Sequence, residues 1–146
     1  MPFRFSLATV LSLREKLEQR EMLLLERRYS ELAAVQGKLW EAAQNITRAQ
    51  EQQAEDLKRG TTAFPLQLNV ETIRSLEKHR ATLQKQLQEA QLRLRDQLEK
   101  YRQARQKRDV LEELRKQQLE HHQREQGKME QRERDELFLL RLQHKR

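Results

Sequence analysis

Four histidines, at positions 79, 121, 122 and 144, are the residues of this chain best suited to hold a metal ion or move a proton. A metal-binding pair on a helix needs two histidines on one face, as in H-E-x-x-H. His121 and His122 are adjacent and therefore diverge by about 100° on a helix. His121 and Glu125 share a face, but two ligands do not make a site. We interpret the histidines as part of a solvated helix surface and expect no metal and no cofactor.

Other catalytic chemistry has no visible basis in the sequence. The carboxylates lie within stretches rich in Lys and Arg, where none is expected to be desolvated enough for acid–base catalysis. There is no glycine-rich phosphate loop and no nucleophile motif. The absence of cysteine excludes disulfides and thiolate metal sites and fits a cytoplasmic protein. We expect a protein that is not an enzyme and that takes no small-molecule ligand.

The composition predicts long helices. The chain has 146 residues, 36% of them charged and 36% hydrophobic, with three glycines and two prolines, which is typical of coiled coils. Disorder is the alternative for so polar a chain, but regularly spaced leucines argue against it. No apolar run of about 18 residues is present to span a membrane. The N-terminus has no basic region before an apolar stretch, so we expect no secretory signal.

The segment GTTAFPLQLN, residues 60–69, is the one clear helix break. A single break between two long helical stretches predicts an all-α fold, an antiparallel two-helix coiled-coil hairpin forming an elongated rod, with residues 1–146 as a single domain. We expect helix 1 over about 6–59, a turn over 60–69 and helix 2 over about 70–140. Ser6 and Asn69 are the predicted caps, because their side chains accept hydrogen bonds from free amides, and Glu71 is expected in the first turn of helix 2.

Apolar residues spaced by three and four predict the seam between the helices. In helix 1 they form two stripes, with a one-residue skip inside Leu23–Leu25. The stripes are Phe3, Leu7, Val10, Leu17 and Leu24, then Leu25, Tyr29, Leu32, Leu39, Ala43, Ile46 and Leu57. The helix 2 stripe is Ile73, Leu76, Leu83, Leu87, Ala90, Leu94, Leu98, Tyr101, Leu111, Leu114 and Leu119. Folding the chain at its break predicts partners whose numbers sum to about 130, with polar residues at some seam positions, Arg80 and Arg108 among them.

This pairing leaves about twenty residues at the C-terminus beyond the partner of Phe3. Five large apolar residues in this stretch are Leu137, Phe138, Leu139, Leu140 and Leu142, within a basic frame of Arg132, Arg134, Arg141, Lys145 and Arg146. A frayed terminus is one explanation. Apolar residues without an internal partner more often mark a contact surface, and we interpret them so.

Charge is unevenly distributed, with a balance of +1 over residues 1–59 and +6 over 70–146. A basic face attracts nucleic acid, anionic lipid or an acidic protein. Acids are interleaved with the bases and Tyr101 falls on the seam, so no base-stacking platform is present and we expect no nucleic acid. We interpret most of these charges as a solvated face. Binding of an acidic protein partner is the second interpretation. A homodimeric scaffold and a basic binder of nucleic acid or membrane surfaces stay open as alternatives.

The opening pattern F-x-F-x-L-x-x-V-L-x-x-R-x-x-x-E resembles the start of the FliJ family of flagellar type III export. Its residues here are Phe3, Phe5, Leu7, Val10, Leu11, Arg14 and Glu18. The segment Ser75–Lys78 after the break, the stretch Glu133–Phe138 and the total length also resemble that family, so the similarity covers nearly the whole chain.

The resemblance implies a stalk-like coiled coil of flagellum biogenesis that inserts the end carrying both termini into the hexameric export ATPase and promotes its assembly. It also implies contacts with the export-gate membrane protein and with export chaperones, peripheral association with the cytoplasmic face of the cell membrane, and a role in protein export and thereby in chemotaxis. We expect the protein to be monomeric when free. The implied ATPase-ring contact residues are Phe3, Phe5, Leu137, Phe138, Leu140 and Arg141.

The export-gate surface implied by the resemblance lies just after the turn, where Leu76 matches the family pattern. At three neighbouring positions this chain departs from well-known members of the family. Thr72, His79 and Leu83 stand where those members have a Phe, an Ala and a His. Leu76 is therefore the one gate-contact residue that the resemblance predicts here.

Overall fold

A computed structural model describes residues 2–60 and 62–145 of the chain. They form two helices, α1 over Ala8–Lys58 and α2 over Ala63–His144. Early residues of α1 contact late residues of α2, so the helices run antiparallel and the predicted all-α hairpin is confirmed. Thr61, inside the predicted turn, and Arg146, inside the predicted basic frame, lie outside the described residues.

The end of α1 is set by Gly60. The helix ends at Lys58, one residue before the predicted end. Gly60 has a φ of 75°, in the left-handed region where a residue without a Cβ is least strained. Its N–H donates to the carbonyl of Leu57 at 3.3 Å, and the N–H of Arg59 donates to that of Glu55 at 3.1 Å. These bonds satisfy carbonyls that a helix end otherwise leaves free.

The predicted turn over 60–69 is wrong, because α2 already begins at Ala63. Pro65 is the third residue of the helix, where its missing N–H has no helical acceptor to lose, so proline is tolerated there. Asn69 is therefore not a cap but lies within α2, where its Nδ2 donates to Oδ2 of Asp56 in α1 at 2.9 Å. The first turn of α2 contains no acidic residue, so the placement of Glu71 there is also wrong.

The remaining two helix boundaries differ less from the prediction than the start of α2 does. α1 starts at Ala8, two residues after the predicted Ser6, and the N–H of Ala8 donates to the carbonyl of Phe5 at 3.1 Å. α2 continues to His144, four residues beyond the predicted end. Contacts divide the chain into two compact units, which we call the turn unit, Glu21–Tyr101, and the terminal unit, Met1–Arg20 with Arg102–Arg146. The single domain stays a prediction.

The turn unit has a regular heptad seam on both helices. Buried here are Leu25, Ala42, Ile46, Leu83, Ala90 and Gln97. In α1 of this unit, buried and half-buried positions include a run in alternating steps of four and three: 21, 25, 28, 32, 35, 39, 42, 46, 49, 53 and 56. α2 has a matching run at 66, 69, 73, 76, 80, 83, 87, 90, 94, 97 and 101. The other half-buried residues of the unit lie beside these runs, at 24, 31, 43 and 44 in α1 and at 65 and 98 in α2. Every residue predicted for this part of the α2 stripe is confirmed except Leu98, which is half-buried just beside the seam.

The predicted skip in α1 is wrong. Glu21 and Arg28 occupy heptad positions, so the repeat passes through polar residues and does not move by one residue to follow the leucines. Tyr29 and Leu57, predicted on the seam, are more than half exposed as a result. Seam packing needs a side chain at each step of three or four, and a polar side chain with a partner can take such a position at some cost in stability.

The terminal unit is held by a shorter seam. Phe5 and Leu11 are buried and Leu7 is half-buried, whereas Val10, predicted on the seam, is 39% exposed and that prediction is wrong. On α2, Leu111, Leu114 and Leu119 are half-buried as predicted.

Polar pairs mark the register of the two helices. In the terminal unit Arg108 forms an ion pair with Glu18 through Nε and a longer contact of 3.4 Å through its terminal nitrogen. In the turn unit Gln97 donates from Nε2 to the backbone carbonyl of Glu21 at 3.0 Å and to its carboxylate. The hydrogen bond to Glu18, together with the charges of Glu18, Asp109 and Glu112, raises the pKa of Arg108 against the opposing effect of burial.

These pairs correct the predicted register. The partner numbers sum to 125 or 126 for Asp56 with Asn69 and for Glu18 with Arg108, and to 118 for Glu21 with Gln97. The predicted value was higher because the turn was placed too late in the chain.

Candidate contact surfaces

The end of α2 exposes every side chain. Gln126 is the last half-buried residue, and residues 127–145 are all exposed. We call this stretch the exposed C-terminal segment. It remains helical to His144 without any contribution from seam packing. Its large apolar residues are 47–63% exposed: Met129, Leu137, Phe138, Leu139, Leu140 and Leu142.

Four consecutive residues of this segment surround the helix with apolar groups. Leu137, Phe138, Leu139 and Leu140 follow one another at about 100° per residue, so together they point to all sides. A helix that is apolar all round is typical of a buried environment, whereas a helix that lies against one surface has a single apolar stripe. This turn can be covered in full only by a partner that encloses it.

Cations accompany the apolar turn along one side. Arg134, Phe138, Arg141 and Lys145 are spaced by four, three and four residues and therefore share a helix face. The ion pairs formed among the described residues do not include any of these three cations. Their charges are available to carboxylates of a partner, with which arginine forms paired hydrogen bonds.

The two N-terminal aromatic residues differ in position. Phe5 is 8% exposed and packs inside the protein, so it is not presented to a partner. Phe3 is half-buried, with its ring centroid 5.5 Å from that of His122 and the rings inclined at 48°. Phe3 thus anchors the residues before α1 onto α2 and leaves one part of its ring accessible. Of the predicted ATPase-ring contacts, Phe3 joins the terminal seam, and Leu137, Phe138, Leu140 and Arg141 lie on the exposed C-terminal segment.

The predicted gate-contact region presents little apolar surface. Leu83 is 3% exposed and belongs to the seam, and Leu76 is half-buried on the same stripe. Thr72 and His79 are exposed, and the hydroxyl of Thr72 donates to the carbonyl of Leu68 at 2.9 Å. The accessible side chains among these four positions are therefore mainly polar.

Exposed apolar side chains do occur earlier in α2, at positions that the sequence analysis assigned to the turn. Phe64 is 76% exposed and Leu68 is 54% exposed. The signal that identifies them is their spacing of four residues in a segment where Pro65 can open a helix.

The described residues contain neither a metal site nor a membrane span. Within residues 2–60 and 62–145, no three His, Cys, Asp or Glu side chains are placed to hold a metal ion together. Neither helix, over its described length, has a window apolar enough to cross a bilayer.

Comparison with known proteins identifies the family. The family model described as flagellar FliJ protein matches residues 3–146. Searches among curated proteins and solved structures gave no significant match. The match extends over both helices and the turn, and it confirms the resemblance found at Phe3 to Glu18 and after the break. The chain belongs to the FliJ family and is a component of the flagellar export apparatus.

Proposed function

We propose that this protein is a non-catalytic, stalk-like component that inserts its exposed C-terminal segment into the ring of the flagellar export ATPase and promotes assembly of that ring. The observation that supports this most directly is the helical turn Leu137–Leu140 of α2, which is apolar on all sides. A ring lumen encloses a helix, and so it covers all four side chains together.

Burial of this helical turn contributes favourable free energy to insertion. Each of the four side chains is 57–63% exposed. Full burial of a large apolar side chain contributes about 1.5–3 kcal/mol, so covering the exposed part of all four contributes roughly 4–7 kcal/mol in total. The loss of translational and rotational freedom on association reduces that gain. Arg134, Arg141 and Lys145 add charge complementarity to an acidic lumen, which speeds association and fixes orientation.

The same proposal assigns the remaining partners. The protein links the ATPase to the export-gate membrane protein and to export chaperones, and it acts in the cytoplasm at the inner face of the cell membrane. Family membership supports these assignments. In this account Leu76 contributes to the gate contact through the part of its side chain that is accessible.

Deletion of residues 128–146 tests the ATPase assignment. The deletion removes residues outside both seams, so the helical circular dichroism per residue should be preserved. Stimulation of the purified export ATPase should be lost. A sharper variant keeps the length and replaces Leu137, Phe138 and Leu140 with Ser. Its matched control replaces Leu23 and Leu92 with Ser, since both are more than half exposed elsewhere in the chain. Full stimulation by the deletion variant rules out insertion of this segment.

A homodimeric scaffold is the second candidate, favoured by apolar side chains on the outer surface of α1. Leu23 and Trp40 are both 66% exposed and are the kind of residues that contribute to interfaces. Light scattering at several concentrations distinguishes the two. The stalk proposal expects the 17.7 kDa mass of one chain, and a stable mass of twice that value supports the scaffold.

A further inference from the structure

α1 has a second heptad repeat on a face that points away from the seam. Its members come one position after each α1 seam residue of the turn unit, so they follow the same alternating steps of four and three. This face lies about 100° around the helix from the seam, and all its members are exposed except Ala43, which is half-buried. We call it the outer stripe: Met22, Glu26, Tyr29, Ala33, Gln36, Trp40, Ala43, Thr47, Gln50, Ala54 and Leu57.

The outer stripe is almost free of charge. Glu26 is the one charged residue among its eleven members. On the other flank of α1, the eleven positions that come one residue before the seam hold seven charged residues: Arg20, Arg27, Glu31, Lys38, Glu41, Arg48 and Glu55. Charges of this kind are usual on the flanks of a two-stranded coiled coil. Their absence from one flank alone indicates that this flank packs against a further element.

Large apolar and aromatic side chains stand in the outer stripe in place of charges. Met22, Tyr29, Trp40 and Leu57 are 47–66% exposed. Together they expose on the order of 400 Å², which is within the size range of the apolar patches that mark interaction sites on soluble proteins. Trp and Tyr are also the residue types that contribute most to binding energy at interfaces.

α2 extends this uncharged side of the turn unit. A cavity on the opposite side is lined by Glu31 and Lys38 of α1 and by Gln86 and Arg93 of α2, and each of these four comes one position before a seam residue. The positions that come one residue after the seam therefore meet on the other side of the pair. Five of them in α2, at heptad spacing and with one charge among them, are Val70, Glu77, Gln84, Gln91 and Leu98.

The period and the charge of this side limit what can cover it. Steps of four and three fit the packing of another helix, whereas an extended segment repeats every two residues. Nucleic acid and anionic lipid are attracted by cations, and the outer stripe has none. A second copy of this chain would bring another net charge of +7 beside the first, with nothing on this side to offset the repulsion.

We infer that the outer stripe is a docking site for one helix of a partner protein, which packs beside α1 as the third helix of a coiled coil. Tyr29 and Trp40 are its main anchors. The partner helix presents apolar residues at its own heptad positions and uncharged residues beside them, because a charge buried against this stripe would have no counter-charge. The inference does not depend on the proposed function, whose ring contacts lie on the exposed C-terminal segment.

A synthetic helical peptide of about 35 residues, long enough to follow the outer stripe, tests the inference with the full-length protein. The peptide has leucine at its heptad positions, glutamine at the flanking positions, Lys and Glu on its remaining face and no tryptophan. Trp40 is the one tryptophan of the protein, so binding should shift the emission maximum to shorter wavelengths. A matched peptide with Lys and Glu at the flanking positions should bind about tenfold more weakly or worse.

Variants of the protein locate the binding. Fluorescence anisotropy of the labelled peptide should show that Tyr29→Ser and Gln36→Lys each weaken binding by about tenfold or more. The control for Y29S is Leu92→Ser, because Leu92 is 57% exposed in the same unit and lies outside the outer stripe. The control for Q36K is Gln86→Lys, because Gln86 is an exposed glutamine on the opposite side of the helix pair.

The outcomes separate this inference from the proposed function. Weaker binding by Y29S and Q36K, with both controls unchanged, supports the docking site. Failure of the glutamine-flanked peptide to bind, or equal binding by all variants, refutes it. A doubled mass in light scattering, with tryptophan emission that shifts to shorter wavelengths as protein concentration rises, shows that a second copy covers the stripe and also refutes it. Y29S should stimulate the export ATPase fully, so a loss of stimulation in the 128–146 deletion reports on ring insertion alone.

Discussion

Replacement of Leu83 with Ala should destabilise the protein more than any comparable change on the outer surface of α2. Leu83 is 3% exposed and lies at the middle of the seam of the turn unit. The substitution removes three carbons, each contributing about 0.8 kcal/mol when buried, for a loss of roughly 2–3 kcal/mol. A cavity adds to this in compact cores. A seam two helices wide can close over the missing group. We therefore expect a loss near the lower end of the roughly 2–5 kcal/mol found for Leu→Ala changes in protein cores.

Urea unfolding followed by circular dichroism at the helical minimum measures this loss. Leu92→Ala is the control: the residue type, helix and unit are the same, but Leu92 is 57% exposed, and its replacement should change the free energy of unfolding by about 0.5 kcal/mol or less. Similar losses for the two variants would falsify the placement of Leu83 on the seam. A larger loss for Leu92 would place the contact between the helices on the opposite face of α2.

Further predictions concern two glycines, the ion pair between Arg108 and Glu18, and the exposed side chain of Trp40. Gly60→Ala should cost about 1 kcal/mol because Gly60 has a positive φ, whereas Gly37→Ala, inside α1 with open space around it, should stabilise by about 0.5–1 kcal/mol; urea unfolding gives both values. A double-mutant cycle on Arg108 and Glu18, using Met and Gln, should show a coupling of about 1–2 kcal/mol; additive effects would contradict their pairing. Since the pKa of Arg108 is raised, stability from its charge is present at all lower pH and is lost only as pH rises through that high value, so no loss from this group is expected between neutral and mildly alkaline pH. Trp40, the one tryptophan and 66% exposed, should shift its fluorescence maximum little on unfolding; a strongly blue-shifted folded spectrum would indicate an interface there.

The fold could be predicted because it depends on features that do not require a partner. Two long stretches with few glycines and prolines favour helix throughout, and one break turns them into a hairpin. The α2 stripe was predicted well because most of its heptad positions are apolar. Gln97 was missed since glutamine has no apolar signal, although the heptad step from Leu94 to Tyr101 leads directly to it.

The α1 stripe failed for the opposite reason. When only apolar residues are counted, Leu24 ends one stripe and Leu25 begins another that is displaced by one residue. The actual repeat continues through Glu21 and Arg28. Glu21 is kept on the seam by its bonds with Gln97, and a pair that forms only after folding gives no signal in either helix alone. Polar seam positions therefore have to be inferred from both helices of the hairpin together.

The exposed C-terminal segment was found from its composition, whereas the exposed apolar pair Phe64 and Leu68 was not. Leu137–Leu140 differ from their charged neighbours so sharply that no exact register is needed to notice them. Phe64 and Leu68 became visible only once Pro65 was placed in the first turn of α2, because a residue in a loop has no defined face.

The position of the turn also decides which residues meet across the seam. A turn over 60–69 sets Ile46 against Leu83, two large side chains, and Leu39 against Ala90. Partner numbers that sum to 125, as for Asp56 with Asn69, instead set Ala42 against Leu83. These two residues are each only 3% exposed, the lowest exposed fraction among the buried residues of this unit. A small side chain opposite a large one lets two helices approach closely and exclude water, which two large side chains at one level do not. The alternation of small and large residues thus contains register information, and it would have favoured the shorter turn before any helix boundary was known.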